Sequence, residues 1–177
     1  SSFSNIKSEI IAMSIKDDDK LVAVKLLAGD ADILIYTDKG NGIRFNSSEL
    51  RETGRTAIGV RGITLSDNEK VIGMDIVNTK DRYIFIMTKK GIGKKSTLDN
   101  FRTMERSAKP LKIITLDDGD DVLLMKTVKD KDIMKVYLKS GMEVLDIDAI
   151  PTLPRLSKGK KLVKVPRGEV IIDCKLD

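Results

Sequence analysis

One pattern constrains this chain more than any other: a turn-bounded pair of apolar runs that returns about every fifty residues. In the clearest copy, Ile33 to Thr37 passes through Asp38-Lys39-Gly40-Asn41 into Gly42 to Phe45. A second copy joins Tyr83 to Thr88 with Ile92 to Ser96 through Lys89-Lys90-Gly91. A third joins Ile133 to Leu138 with Met142 to Ile147 through Lys139-Ser140-Gly141. Short β-rich runs joined at a glycine read as hairpins, the glycine supplying the positive φ of a tight turn. The rest of each period holds a second hairpin-like pattern. Its copies are Val60 to Leu65 with Val71 to Val77, Leu111 to Leu116 with Val122 to Val128, and Leu162 to Val165 with Val170 to Cys174. A further copy, Ile10 to Ile15 with Leu21 to Leu27, precedes the first full period. Four strands per unit of this length is the count of a propeller blade. The expected fold is all-β and propeller-like: one repeat-built domain with a partial repeat over 1–30 and full repeats over 31–80, 81–130 and 131–177. The period alone equally fits a linear array of barrels.

Helix has little room. Ser47 to Arg51 and Leu98 to Arg102 each offer a capping-type start and an early acid, enough for one turn. The core must come from Ile, Val, Leu and Met, because aromatics are only 4% of the 177 residues and Trp is absent. No apolar run reaches the length of a membrane span, and the single cysteine, Cys174, suits a reducing cytoplasm.

Catalytic chemistry is poorly provided for. The chain has no histidine, hence neither the usual general base nor the commonest metal ligand. Tyr36, Tyr83 and Tyr137 recur at matching repeat positions, which favours packing over nucleophilic work. Asp117-Asp118-Gly119-Asp120-Asp121 resembles half a calcium loop but lacks the closing Glu. Gly54-Arg55-Thr56-Ala57-Ile58-Gly59 lacks the Gly-Lys-Ser/Thr ending of a phosphate loop. No cofactor is expected in this domain.

The remaining signal is charge distribution, more than the net +5. Acids collect at turns (Asp17 to Asp19, Asp67 to Glu69, Asp117 to Asp121). Bases collect at Lys89 to Lys95, Arg102 to Lys112 and Arg155 to Arg167, while the connectors between the two hairpin patterns are Asn46 to Gly59, Thr97 to Pro110 and Asp148 to Lys161. Arg44 and Lys95 share a repeat position, with Lys94 beside the latter. Arg51, Arg55 and Arg61 are followed one period later by Arg102, Arg106 and Lys112, with Lys109 between; Arg155, Lys158, Lys160 and Lys161 cluster in the third unit. If acids and bases take separate sides, these cations form a phosphate-binding face. With few aromatics to stack bases, it suits duplex backbone without sequence preference. The alternative is a propeller-type protein-interaction scaffold, marked by an apolar rim patch in place of a basic one.

Several stretches resemble a known family. Phe3-Ser4-Asn5-Ile6-Lys7 running to Ile10-Ile11-Ala12-Met13, Gly42-Ile43-Arg44-Phe45, and Gly54-Arg55-Thr56-Ala57 with Gly59-Val60-Arg61-Gly62-Ile63 are similar to repeats of the C-terminal domain of bacterial type IIA topoisomerase A subunits. Gly91-Ile92-Gly93-Lys94-Lys95-Ser96-Thr97 looks like the next repeat's counterpart. The resemblance implies a β-pinwheel, whose blades exchange strands, as part of a larger subunit. It implies a non-catalytic domain that bends or wraps duplex DNA on a basic rim to control supercoiling. DNA cleavage, ATP hydrolysis and Mg would belong to the remainder of the A subunit, together with its ATPase B subunit, in a cytoplasmic, nucleoid-associated enzyme. The basic box Gln-Arg-Arg-Gly-Gly-Lys-Gly of gyrase is not present at the equivalent slot, Met104 to Pro110, and Leu153 to Lys160 is reminiscent of topoisomerase IV. The residues select neither gyrase nor topoisomerase IV, and so neither wrapping nor bending.

Overall fold

The computed structural model describes residues 12–16, 18–54, 57–78 and 80–177. Three hairpins form where the sequence places them: β1 (Asp32–Thr37) with β2 (Asn41–Asn46), β4 (Tyr83–Thr88) with β5 (Ile92–Thr97), and β8 (Ile133–Leu138) with β9 (Gly141–Asp146). The other strands are β3 (Val71–Val77), β6 (Leu111–Lys112), β7 (Val122–Val128), β10 (Lys160–Lys161) and β11 (Ile171–Leu176). The fold is all-β and propeller-like, with single 3-10 turns at Ser47–Glu49, Leu98–Asn100 and Ile147–Ala149. Among the described residues no helix is long and apolar enough to cross a membrane.

The second pattern in each period is not a hairpin. In the second and third periods its two arms go to different sheets, which run β3-β1-β2-β6, β10-β5-β4-β7 and β11-β8-β9. Thus β6, from the second unit, completes the first sheet on the edge of β2. Likewise β10, from the third unit, completes the second sheet on β5. Each handover is short. Val60 to Leu65 and Leu21 to Leu27, also expected as strands, form none, and the start of the expected strand Ile10 to Ile15 lies outside the described residues.

The handover explains the glycines at the hairpin turns. Gly40 (φ +77°) sits under the crossing arm of the next unit, where a Cβ would lie 2.7 Å from Ile114 Cγ2. Gly91 (φ +85°) sits under the following one, where a Cβ would lie 2.4 Å from the Val163 carbonyl oxygen. Both the backbone conformation and the close approach exclude a side chain.

Burial follows the pleat. On β1, Ile33 packs with Ile43, Phe45 and Ile63, whereas Leu34 and Tyr36 turn the other way, toward Ile84, Ile86, Ile113 and Met125 of the second unit. In the middle sheet both faces are covered. Ile84 and Ile86 face the first unit, while Phe85 and Met87 meet Met134, Val136 and Ile171 of the third. Strand β4 therefore reads as an uninterrupted apolar run, all of Ile84 to Met87 being fully buried. The third sheet has only its inner face covered, and Met142 and Val144 of β9 are exposed.

Candidate nucleic-acid interface

Acidic turns and basic connectors both prove to be joints between segments. In each unit, the acid closing the second pattern's turn holds the hairpin turn. Glu69 accepts from Thr37 Oγ1 (2.5 Å), Asn41 Nδ2 (2.7 Å) and the Ser66 amide (2.9 Å). Asp120 accepts from the Lys90 amide (3.2 Å), and Glu169 from the Ser140 amide (3.2 Å) and hydroxyl (3.0 Å). Although burial opposes ionisation, these donors hold the Glu69 carboxyl below its ordinary range. The acid cluster around Asp117 thus has structural employment. Among the described residues, no group of three or more potential ligands is arranged to hold a metal ion.

Four of the cations expected at a rim are instead stitches. Arg44 pairs with Asp32 (Nε–Oδ2 2.8 Å) and donates through Nη1 to the carbonyls of Leu98 (3.4 Å) and Phe101 (3.1 Å). One period on, Lys95 Nζ donates to the Ile147 carbonyl at 2.8 Å and lies 4.7 Å from the Tyr83 ring centre. Leu98 and Ile147 open equivalent 3-10 turns, so each cation pins the turn of the unit after its own. Arg106 and Arg155 reach backward in the same way, through Nη1 to the carbonyls of Arg61 and Lys112. Arg44, Arg106 and Arg155 are half-buried and Lys95 is buried. Recurrence in phase accompanies this inter-unit role in all four.

Lys94 is also withdrawn from solvent. It is fully buried, with Nζ donating to the carbonyls of Pro154 (2.9 Å), Arg155 (2.6 Å) and Ser157 (2.9 Å). Burial, with a smaller contribution from the Arg155 charge, pulls its pKa down to about 8. Arg55 lies outside the described residues.

The eight remaining expected cations are exposed: Arg51, Arg61, Arg102, Lys109, Lys112, Lys158, Lys160 and Lys161. The stitches set several of them in series. The Arg106 contact places the second connector against Arg61, reinforced by the Ser107 amide donating to the Gly62 carbonyl (3.2 Å). The Arg155 contact places the third connector against Lys112, reinforced by Thr115 Oγ1 donating to the Leu156 carbonyl (2.7 Å). Separation of charge is incomplete: Lys158 pairs with Asp117 across units. A series of exposed ammonium and guanidinium groups on successive connectors can neutralise a polyanion's backbone.

Sequence reasoning passed over Asp75. It is 3% exposed on β3, accepting from Lys126 Nζ (2.7 Å) and from the Thr127 amide (3.0 Å) and hydroxyl (2.9 Å) of β7. An acid in the middle of an apolar strand, Val71-Ile72-Gly73-Met74-Asp75-Ile76-Val77, is the signal that marks it.

The family described as DNA gyrase C-terminal domain, beta-propeller, matches residues 1–28, 31–78, 82–129 and 144–176. The DNA gyrase A subunit of Staphylococcus epidermidis is 34% identical over 175 residues, 97% of this chain and 20% of that protein. The chain thus spans about a fifth of the length of this relative. The solved C-terminal domain of DNA topoisomerase IV superposes with a TM-score of 0.86 at 22% identity, covering 93% of this chain and 52% of that one. The DNA gyrase A C-terminal domain gives 0.87 at 18% identity, covering 94% and 57%. On these matches and on its three successive propeller-like sheets, the chain belongs to the DNA gyrase C-terminal domain family.

Proposed function

We propose that this domain binds duplex DNA through its backbone, without sequence preference and without chemistry of its own, and bends or wraps it for a bacterial type IIA topoisomerase. The observation that carries this reading is the series of exposed cations on successive connectors, from Arg51 to Lys161. Their side chains are exposed, with Lys158 also paired to Asp117 and Lys161 Nζ donating to the Lys90 carbonyl (2.8 Å), and they project from segments that the stitches hold to neighbouring units, so they meet a long polyanion without reorganising the sheets. Cleavage, ATP hydrolysis and Mg are assigned to other parts of the A subunit or to a B subunit, in a cytoplasmic enzyme associated with the nucleoid. The four repeat segments act as one unit in this role.

The test is titration of a labelled linear duplex at two salt concentrations, followed by topology analysis of bound plasmid. Backbone neutralisation predicts affinity that falls steeply with salt and changes little with sequence. Affinity indifferent to salt, or no binding at low salt, would overturn the reading. A change of linking number in the bound plasmid indicates wrapping; bending leaves it unchanged.

A further inference from the structure

Lys94 occupies a place where the repeats use two different solutions. In the first sheet the equivalent residue is Ile43, buried in the cluster that takes in Met104 and Ala108 of the second connector. That connector makes a turn in which the Ala108 amide donates to the Glu105 carbonyl (3.2 Å). The third connector makes the same turn, the Ser157 amide donating to the Pro154 carbonyl (3.1 Å). Here the space is filled by an ammonium with three carbonyl acceptors, and the Ser157 hydroxyl lies 3.4 Å away. An apolar contact in one unit is thus replaced by a buried cation in the next.

The residues just past the turn give the replacement its consequence. Lys158 is exposed directly after it, and Lys160 and Lys161 pair with Gly93 and Ile92 beside Lys94 itself. Gly159 (φ +96°) lies so close to Gly93 that a Cβ would stand 2.7 Å from its carbonyl oxygen. The segment 158–161 is therefore fixed upstream by Lys94 and downstream by the strand pairing.

We infer that Lys94 is a positioning residue for duplex binding: without touching DNA, it fixes the third connector so that Lys158, Lys160 and Lys161 are presented together. The inference rests on the duplex-binding reading above. A positioning role makes the ammonium replaceable by the solution already used in the first sheet, whereas a cation acting on DNA by its charge is not replaceable by an apolar group.

The experiment uses the whole chain and a labelled linear duplex, comparing Lys94→Met with the double variant Lys94→Ile/Ser157→Ala. Lys94→Met is expected to weaken binding about tenfold and to lower the slope of log K against log salt by up to about 2.7, some 0.9 for each of three phosphates no longer met. The double variant is expected to restore both. Amide hydrogen exchange, read by peptide, is expected to quicken over 153–161 in Lys94→Met and to leave β1 and β2 unchanged, which reports on the connector and on folding together. Unaltered exchange and affinity in Lys94→Met would overturn the inference. So would a natively folded double variant that binds as weakly as Lys94→Met. Failure of the unsubstituted chain to bind duplex would strike the function reading itself, an outcome distinguishable from the others.

Discussion

Replacing Lys95 with Met separates the two classes of cation most cleanly. Lys95 is 5% exposed and its Nζ spends its charge on the Ile147 carbonyl and the face of Tyr83. Met keeps the length and the apolar stem, so the change removes little volume. Loss of a charge-assisted hydrogen bond costs ~1.5–3 kcal/mol, and loss of the ring contact a further ~0.5–2 kcal/mol. Against this stands the relief of no longer burying an ammonium, several kcal/mol on a similar scale. We therefore expect the two to offset to within ~2 kcal/mol, a shift in Tm of at most about 4–8 °C at about 2–4 °C per kcal/mol in a domain of this length. Urea unfolding measures it. Duplex affinity, taken well below the transition, is expected to stay within about twofold of the unsubstituted chain, because Lys95 does not reach solvent. Undiminished stability together with lost affinity would refute the assignment of Lys95 as a stitch.

Other expectations rest on the same geometry. Asp75→Asn should destabilise by ~2–4 kcal/mol, because Lys126 and Thr127 lose a charged acceptor between β3 and β7. Burial raises the Asp75 pKa, but the Lys126 and Thr127 bonds outweigh it and leave it lowered from 3.8. The stability this provides is complete above 3.8 and is lost as pH falls through the folded value, so the variant should show a flatter acid limb in pH-dependent melts. Gly91→Ala should cost at least ~1 kcal/mol, from positive φ and collision with the Val163 carbonyl, measured by denaturant midpoint. Cys174 is buried and its thiol is pushed up to about 12, chiefly by burial. A thiol reagent at neutral pH should therefore modify it only at the rate of unfolding.

The hairpins and their period were legible because they are local. The apolar run Ile33 to Tyr36, a turn glycine and a second apolar run need no distant partner to be read. The exchange of arms was not legible from patterning, since β6 and β10 are two residues each and their pairing joins segments about seventy residues apart. The third 3-10 turn was missed because Asp146 and Ile147 read as the end of the strand begun at Met142; the Asp146 carboxylate instead caps the turn, accepting from the Asp148 amide at 2.9 Å. That several cations are engaged with backbone carbonyls was not legible either, for a physical reason. A lysine between apolar or small neighbours inside a strand, as Lys94 and Lys95 are between Gly93 and Ser96, points into packed space, where only backbone carbonyls remain to receive it. Those that flank turns and connectors, Lys109, Lys158 and Lys160, do reach water.

Exposed cations that grip the duplex and buried ones that shape the domain must respond differently to salt and to substitution. The direct measurement is linear-duplex affinity between 50 and 200 mM salt, roughly the range over which six to ten phosphate contacts cost ~10³–10⁵ in affinity. It should be made for the unsubstituted chain and for Lys158→Glu/Lys160→Glu/Lys161→Glu. A steep slope is expected for the first, and for the second weaker binding and a shallower slope, with stability lowered by only about 1 kcal/mol for the lost surface contacts of Lys158 with Asp117 and Lys161 with the Lys90 carbonyl. Equal affinity and slope in the two proteins would contradict this division of roles.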